Sequence, residues 1–459
     1  MQTRRIGAGL AAVALLATLA SCGTDEQEAA KFERADNENF VRDMSDLSSF
    51  TLDNGLVVYL QEERTNEQVA VEVLYRAGFL DEPKGLAELS HVAEHLAIHC
   101  ASGSYGAGET LAKVTERRGM LNAEAVADFS HIDYIVEAEN LDLVLSIEAQ
   151  RLTAIQCDED VRARELAKVT REIDNVVANP KGSFAKYGMM ALNQALYHGE
   201  RFVPIREGSK RITSAQSEAF VRDNYRPDDA VLVIIGNMNK ADAEALVRKH
   251  FGSLPRRPQP AALRPAASGN IKATWDLPAQ AIYYVSPGPY DTFRERLILT
   301  MFGAYLHQVL MTSQEVYGPC RSVYASNQIY RVDEIPFFVF AEPADGHTID
   351  EIRPTLQRYI ESAVASLDDS RIQSIAGGMV SFVTATSLKK DAPDYPMMHH
   401  QVIGQEALNI GMKHVLREGR SVDDFVAEVN SITPDEFRAA VHKYINNSRL
   451  QEVTFTPRG

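Results

Sequence analysis

Residues 89–100, LSHVAEHLAIHC, place three histidines, a glutamate and a cysteine in an otherwise apolar, helix-favouring stretch. His91, Glu94 and His95 spell H-x-x-E-H. On a helix, positions i, i+3 and i+4 share one face. Two neutral imidazoles at that spacing can hold one zinc ion, which favours nitrogen and oxygen donors in a tetrahedral shell. A glutamate beside them can take a proton from water activated by the metal. The order is the inverse of the more familiar H-E-x-x-H signature. The competing reading of such histidines is an ordinary surface or satisfied core position.

A catalytic zinc needs a third protein ligand and one open position for water. His99 lies one turn beyond His95, but a fourth protein ligand would close that position, so it is read as a neighbour. Residues 158–178 offer Glu165 and Glu172, seven apart and so on one helix face. Their local pattern equally suits solvated helix charges and does not decide between the two.

The elements that must position these groups can be read in outline. Asp53-Asn54-Gly55 is a turn signal between two strand-like runs, which predicts a hairpin. QVAVEVLYRAG is a strand, and GLAELSHVAEHLAIHC turns helical. GMLNAEAVADFSHIDYIVEA is a strand region followed by a helix in NLDLVLSIEAQRLTAI. Residues 158–178 form one long helix closed by Asn179-Pro180. Residues 254–269 are rich in proline and short of large apolar side chains, which marks a linker. The halves on either side of it repeat weakly. Ile212-Thr213 precedes a helix, Tyr225 and the strand AVLVIIG; Ile432-Thr433 precedes a helix, Tyr444 and EVTFTP. The expectation is a duplicated αβ unit of about 200 residues.

The chain has 459 residues, 45% of them hydrophobic, enough for two or three cored domains. Its net charge of −16 argues against nucleic-acid binding, which is mostly cationic. Residues 1–21 pair a basic start with a short apolar run and end in Leu19-Ala20-Ser21 before Cys22. This resembles a bacterial lipobox, with Cys22 acylated and residues 22–45 as a polar tether. Gly23 in place of an aspartate favours the outer membrane, facing the periplasm. Cys100, Cys157 and Cys320 are widely spaced and form no C-x-x-C pair, so a cysteine zinc site or redox motif is not supported. One disulfide can form in an oxidising compartment, but the spacing does not choose the pair.

H-x-x-E-H, with Glu172 following His95 at some seventy to eighty residues, resembles the pitrilysin/insulinase family of zinc metallopeptidases. Glu165 matches a second glutamate typical of that family seven residues before the ligand. FTLDNGLVVYL, YRAGFLDEP, GMLNAEAVADFSHIDY and YRPDDAVLVIIGNM resemble further family segments, so the likeness covers most of the chain beyond the tether. It implies an α+β fold: two homologous αβ domains, each a mostly antiparallel sheet packed by helices, together half of a clamshell chamber. The zinc-bearing domain would span 46–253 and a non-catalytic homologue 270–459. It implies one zinc per chain on His91, His95 and Glu172, with Glu94 as general base and Glu165 orienting the site. Asn122 and Ala123 would border an edge strand to which an extended peptide adds.

Two segments depart from the family pattern. Single-chain relatives carry an Arg and a Tyr in a segment like L-R-E-x-x-G-L-A-Y. Here SQEVYGPCRSVY, residues 313–324, puts Gln314 and Arg321 at those places, with Tyr324 out of register. Arg321 and Tyr324 are the substitutes nearest to hand for substrate contact. Tyr134 also falls two residues later than the usual tyrosine. Chains of this length resemble half-size bacterial members and the subunits of mitochondrial processing peptidase, which close a chamber from two chains. This one resembles the zinc-bearing partner, expected to pair with a homologous subunit carrying the Arg/Tyr pair, or with a second copy of itself. The expected function is endopeptidase cleavage of extended or unfolded peptides; the alternative is a non-catalytic binding or assembly subunit.

Overall fold

The computed structural model describes residues 47–458 except 65–66, 127–128, 179–187, 189, 193–194, 197–204, 258–268, 287–289, 291, 326–336, 385–394 and 447–448. The signal segment, the tether, Asn179-Pro180 and most of the 254–269 linker lie outside the described residues. The runs flanking Asp53-Asn54-Gly55 pair antiparallel as β1 (Leu47–Thr51) and β2 (Val57–Glu62). Gly55 supplies the positive φ of 95° that the turn needs.

The expected strand region resolves into β5 (Met120–Ala125) and β6 (Ser130–Glu137). With β3 (Gln68–Tyr75) and β8 (Ala230–Gly236) they complete a six-stranded sheet of order β1-β2-β8-β3-β6-β5. Only β2 and β8 run parallel. The second sheet holds β9 (Ile271–Trp275), β10 (Ala281–Ser286), β11 (Cys320–Ala325), β12 (Phe337–Pro343) and β13 (Gln451–Pro457). Its order is β11-β12-β10-β13-β9, parallel only at β13–β9. A two-stranded ladder joins β4 (Ala101–Ser102) to β7 (Ile155–Gln156).

The orders β2-β8-β3-β6-β5 and β9-β13-β10-β12-β11 match in sequence and in sense, so the molecule is a duplicated α+β unit. The repeat visible in the sequence marks equivalent places. Thr213 and Thr433 cap the helices Ser214–Asn224 and Pro434–Tyr444, each in a capping box, just ahead of β8 and β13.

Both faces of each sheet are covered, which is why strands such as AVLVIIG are apolar throughout rather than alternating. Val69, Val71, Val73 and Tyr75 of β3 face one core with the helices Leu89–His99, Leu141–Thr153 and Glu159–Ala178. Ala70, Val231, Val233 and Ile235 on the opposite face meet Ile403, Ala407 and Ile410 of the helix Tyr395–Leu416, from the other half of the chain. The exchange is mutual. Met190, Leu192, Ala195 and Leu196, from the first half, are buried in the cluster that holds Tyr283, Phe338, Phe340 and Phe455 of the second sheet. No helix among the described residues is long and apolar enough to cross a membrane.

Candidate metal centre

The helix Leu89–His99 packs between β5, the helix Glu159–Ala178 and the helix Ser214–Asn224. The structure brings His91, His95 and Glu172 to one point. Glu172 Oε2 lies 3.3 Å from His91 Nε2 and 3.7 Å from His95 Nε2. Donors on a tetrahedron with metal bonds of about 2.0–2.1 Å stand about 3.3 Å apart. A carboxylate oxygen at this separation from each of two imidazole nitrogens suits zinc in both chemistry and spacing. Glu94 presents a carboxyl oxygen within 4.8 Å of both imidazoles. His91 and Glu94 are buried, whereas the Glu172 side chain keeps 43% of its exposure, which leaves the site open on that side. Hydrogen bonds from the two imidazoles hold the Glu172 carboxyl well below the usual carboxylate range.

Glu165 is fully buried, seven residues and so about two turns before Glu172 on the same helix. Its Oε2 lies 3.5 Å from both His95 Nδ1 and His99 Nε2, and Lys168 Nζ reaches its carboxylate at 2.8 Å. Burial opposes ionisation of Glu165, but Lys168 and His99 keep its pKa below the ordinary value. His99 is thus occupied with Glu165 rather than with the point where His91, His95 and Glu172 meet.

Several supporting residues carry no sequence signature. Glu88 takes a left-handed φ of 76°, is wholly buried, and places Oε2 2.9 Å from His91 Nδ1. Glu82 accepts from Ser90 N at 2.9 Å, Ser90 Oγ at 2.6 Å and Glu88 N at 3.1 Å, closing the N-terminus of the metal helix. Beneath it lies a buried network. Tyr134 Oη donates to Glu148 Oε2 at 2.7 Å, Tyr75 donates to the same carboxylate, and Arg151 pairs with it. Arg151 Nε then donates to the Ala97 carbonyl at 2.8 Å, gripping the metal helix from below. Tyr134 therefore belongs to the support of the helix. Cys100, the helix C-cap, is bonded to Cys157. The one clue the sequence offered to this support was the pair of cysteines, Cys100 and Cys157, beside the two helices that carry the candidate ligands.

The other sequence-derived candidates separate. β5 is the edge strand beside the metal helix. Ala123 packs toward the core on the helix side, whereas Asn122 Nδ2 donates to Asp133 Oδ1 at 3.0 Å. On β11, Arg321 Nη1 donates to Glu342 Oε1 at 2.8 Å and the guanidinium also pairs with Asp345. Tyr324 stacks on Phe340 with ring centroids 4.7 Å apart. Both side chains are thus engaged within the second sheet. Glu72, His131 and Asp133 form a second cluster of metal-binding residue types. There His131 Nδ1 lies 2.9 Å from Glu72 and 3.8 Å from Asp133, and Nε2 lies 3.8 Å from Glu124. Burial opposes its protonation, but Glu72 and the other carboxylates hold His131 well above the ordinary histidine value, while burial pushes the Glu72 carboxyl up to about 7.

The family profile described as Insulinase (Peptidase family M16) matches residues 57–201, and that described as Peptidase M16 inactive domain matches residues 211–376. The chain belongs to the M16 peptidase family. This M16 chain is 28% identical over 213 residues to the zinc protease PqqE of Helicobacter pylori. That match covers 45% of this chain and 47% of the relative, about half the length of each. It is 23% identical over 425 residues to an uncharacterized zinc protease of Mycobacterium bovis, covering 89% and 93% of the two chains. The crystal structure of a protease from Helicobacter pylori shares its fold, with a TM-score of 0.66 and 17% identity over 90% of this chain and 99% of that one. The inactive-domain match includes the helix Phe293–Thr312, the topological counterpart of the metal helix, which carries no H-x-x-E-H.

Proposed function

We propose that this M16 chain is a zinc-dependent endopeptidase acting on extended or unfolded peptides. The observation that carries the reading is Glu172 Oε2 lying 3.3 Å from His91 Nε2 and 3.7 Å from His95 Nε2, beside the Glu94 carboxyl. A zinc ion held by these three would polarise the scissile carbonyl and acidify a water molecule. Glu94 takes the proton from the attacking water and passes it to the departing amine. Glu165 keeps the His95 ring aimed at the site. At Asn122 and Ala123, β5 is the outermost strand of the sheet among the described residues, an edge on which an extended substrate forms one more strand beside the metal helix.

In this reading residues 46–253 are the zinc-bearing domain, 254–269 the linker and 270–459 the homologous non-catalytic domain. Cys22 is lipidated and anchors the protein to the outer membrane, facing the periplasm. The chamber is completed by a second chain. Arg321 and Tyr324 could serve the substrate only after release from Glu342, Asp345 and Phe340, which favours a homologous partner supplying its own Arg/Tyr pair over a homodimer.

The test is metal analysis with a quenched-peptide assay on the purified protein, alone and with such a partner. Wild type is expected to carry one zinc per chain, and His91→Ala none, because two ligands hold catalytic zinc poorly. Glu94→Gln is expected to keep the zinc and lose activity at least about a hundredfold, the low end for a general base. Undiminished zinc in His91→Ala, or wild-type turnover in Glu94→Gln, rejects the assignment.

A further inference from the structure

We propose that the Cys100–Cys157 disulfide is a positioning element of the metal centre, setting the register of the two helices that carry its ligands. The proposal rests on the zinc reading above. Cys100 ends the helix Leu89–His99, its N–H donating to the Leu96 carbonyl at 2.8 Å. Cys157 lies two residues ahead of the helix Glu159–Ala178, and its N–H is held by Glu218 Oε1 at 2.7 Å. Their Cα atoms stand 4.9 Å apart across a sequence separation of 57.

The contacts between the two helices form a ladder that begins at this bond. Cys100 meets Cys157, His99 meets Glu165, His95 meets Glu165 and Glu172, and His91 meets Glu172. Going backward along one helix means going forward along the other, so the two run antiparallel. The disulfide is the covalent first rung and the ligand set is the last. A slide of one residue displaces a helix by about 1.5 Å, whereas ligand distances in a metal site must hold to about 0.2 Å. Near the bond, the β4–β7 ladder couples Ala101 to Gln156 and Ser102 to Ile155 and is only two residues long. At the far end Glu172 meets the histidines from a half-exposed position. Val161, Val169 and Ile173 seat the second helix in the core, and the disulfide adds the one covalent constraint on the register of Glu172 against His91 and His95. Such a bond forms in an oxidising compartment, so full metal affinity is reached only there.

The experiment measures zinc affinity of the metal-free protein against a competing chelator in three forms. These are oxidised wild type, wild type reduced and then desalted without oxygen, and Cys100→Ala/Cys157→Ala. The reductant is a water-soluble phosphine, which converts the S–S bond to two thiols while water supplies the oxygen of the phosphine oxide. Circular dichroism and apo melting are recorded on each form. The expected result is folded protein in every form, with affinity about ten- to a hundredfold weaker without the bond, the range for losing a group that orients a ligand. The double variant should not respond to the phosphine, which separates the effect from Cys320 and from thiols acting as new ligands. A bond that only stabilised the fold would lower the apo melting temperature and leave the affinity of the folded protein unchanged; equal affinities overturn the proposal. Unfolding of both unbridged forms also overturns it, because the bond would then support the whole domain. Absence of zinc from the oxidised wild type overturns the zinc reading itself, and this proposal with it.

Discussion

Glu88 stands where a side chain is costly. Its φ of 76° carries a penalty of about 1–2 kcal/mol for a residue with a Cβ, and its buried Oε1 has no hydrogen-bond partner among the described residues. What it contributes is Oε2, 2.9 Å from the nitrogen of His91 that faces away from Glu172. A carboxylate in that place fixes the ring and raises its basicity as a ligand. Glu88→Gln keeps the shape and removes the charge. Zinc affinity should fall about ten- to a hundredfold, while melting of the metal-free protein should stay level or rise, since a buried charge is removed. Unchanged affinity would show Glu88 to be a turn residue only. At this scale the sequence disclosed what its spacing encodes. His91, Glu94 and His95 are visible because i, i+3 and i+4 define one helix face. Glu172 could be told from Glu165 only by family likeness, since both sit on that face of an ordinary charged helix. Glu88, Glu148 and Arg151 are common letters whose burial comes from tertiary packing, and no local pattern announces them.

The metal helix begins without a local cap, in contrast to the helices started by Thr213 and Thr433. Each of those two caps is complete within four consecutive residues. The cap of the metal helix comes from Glu82, eight residues before Ser90, and that distance hides it. Its carboxyl accepts three donors, yet burial pushes its pKa up from 4.5 to about 8. The sign of the consequence follows from proton uptake. Below pH 4.5 the group is protonated in both folded and unfolded chains, and its contribution is fully present. As pH rises toward 8 the unfolded chain ionises first, so that contribution is progressively lost. Glu82→Gln cannot ionise. The melting temperature of metal-free wild type should therefore decline relative to Glu82→Gln between pH 4.5 and about 8. A difference that stays constant across this window would show that Glu82 holds no extra proton, and that its three donors outweigh its burial.

On the scale of the whole molecule, the duplication was readable from the paired Ile-Thr and Tyr positions, but the exchange between halves was not. An apolar helix face looks the same whichever sheet it covers, and the segments on either side of Tyr395–Leu416 give no hint that it crosses over. The crossing is close: Gly404 lies where a Cβ would meet Ile135 at 3.3 Å, and Gly411 is pressed against Leu74. Small residues at these points let the helix backbone approach the first sheet. The consequence is that the half carrying the proposed metal site does not complete its own core. Cut free, residues 46–253 would bare Ala70, Ile135, Val231, Val233 and Ile235 as one contiguous face. Monomeric proteins rarely leave patches beyond about 300–600 Å² exposed. That half expressed alone should aggregate or bind a hydrophobic dye strongly, and co-expression with residues 270–459 should recover soluble protein. Replacing Gly411 with leucine in the full chain should act in the same direction by pushing the helix off Leu74, lowering the melting temperature without touching a proposed metal ligand. If residues 46–253 alone were monodisperse, dye-silent and bound zinc as tightly as the full chain, the crossing helix would be a cover and not a part of the core. The metal centre would then owe its geometry to the first half alone.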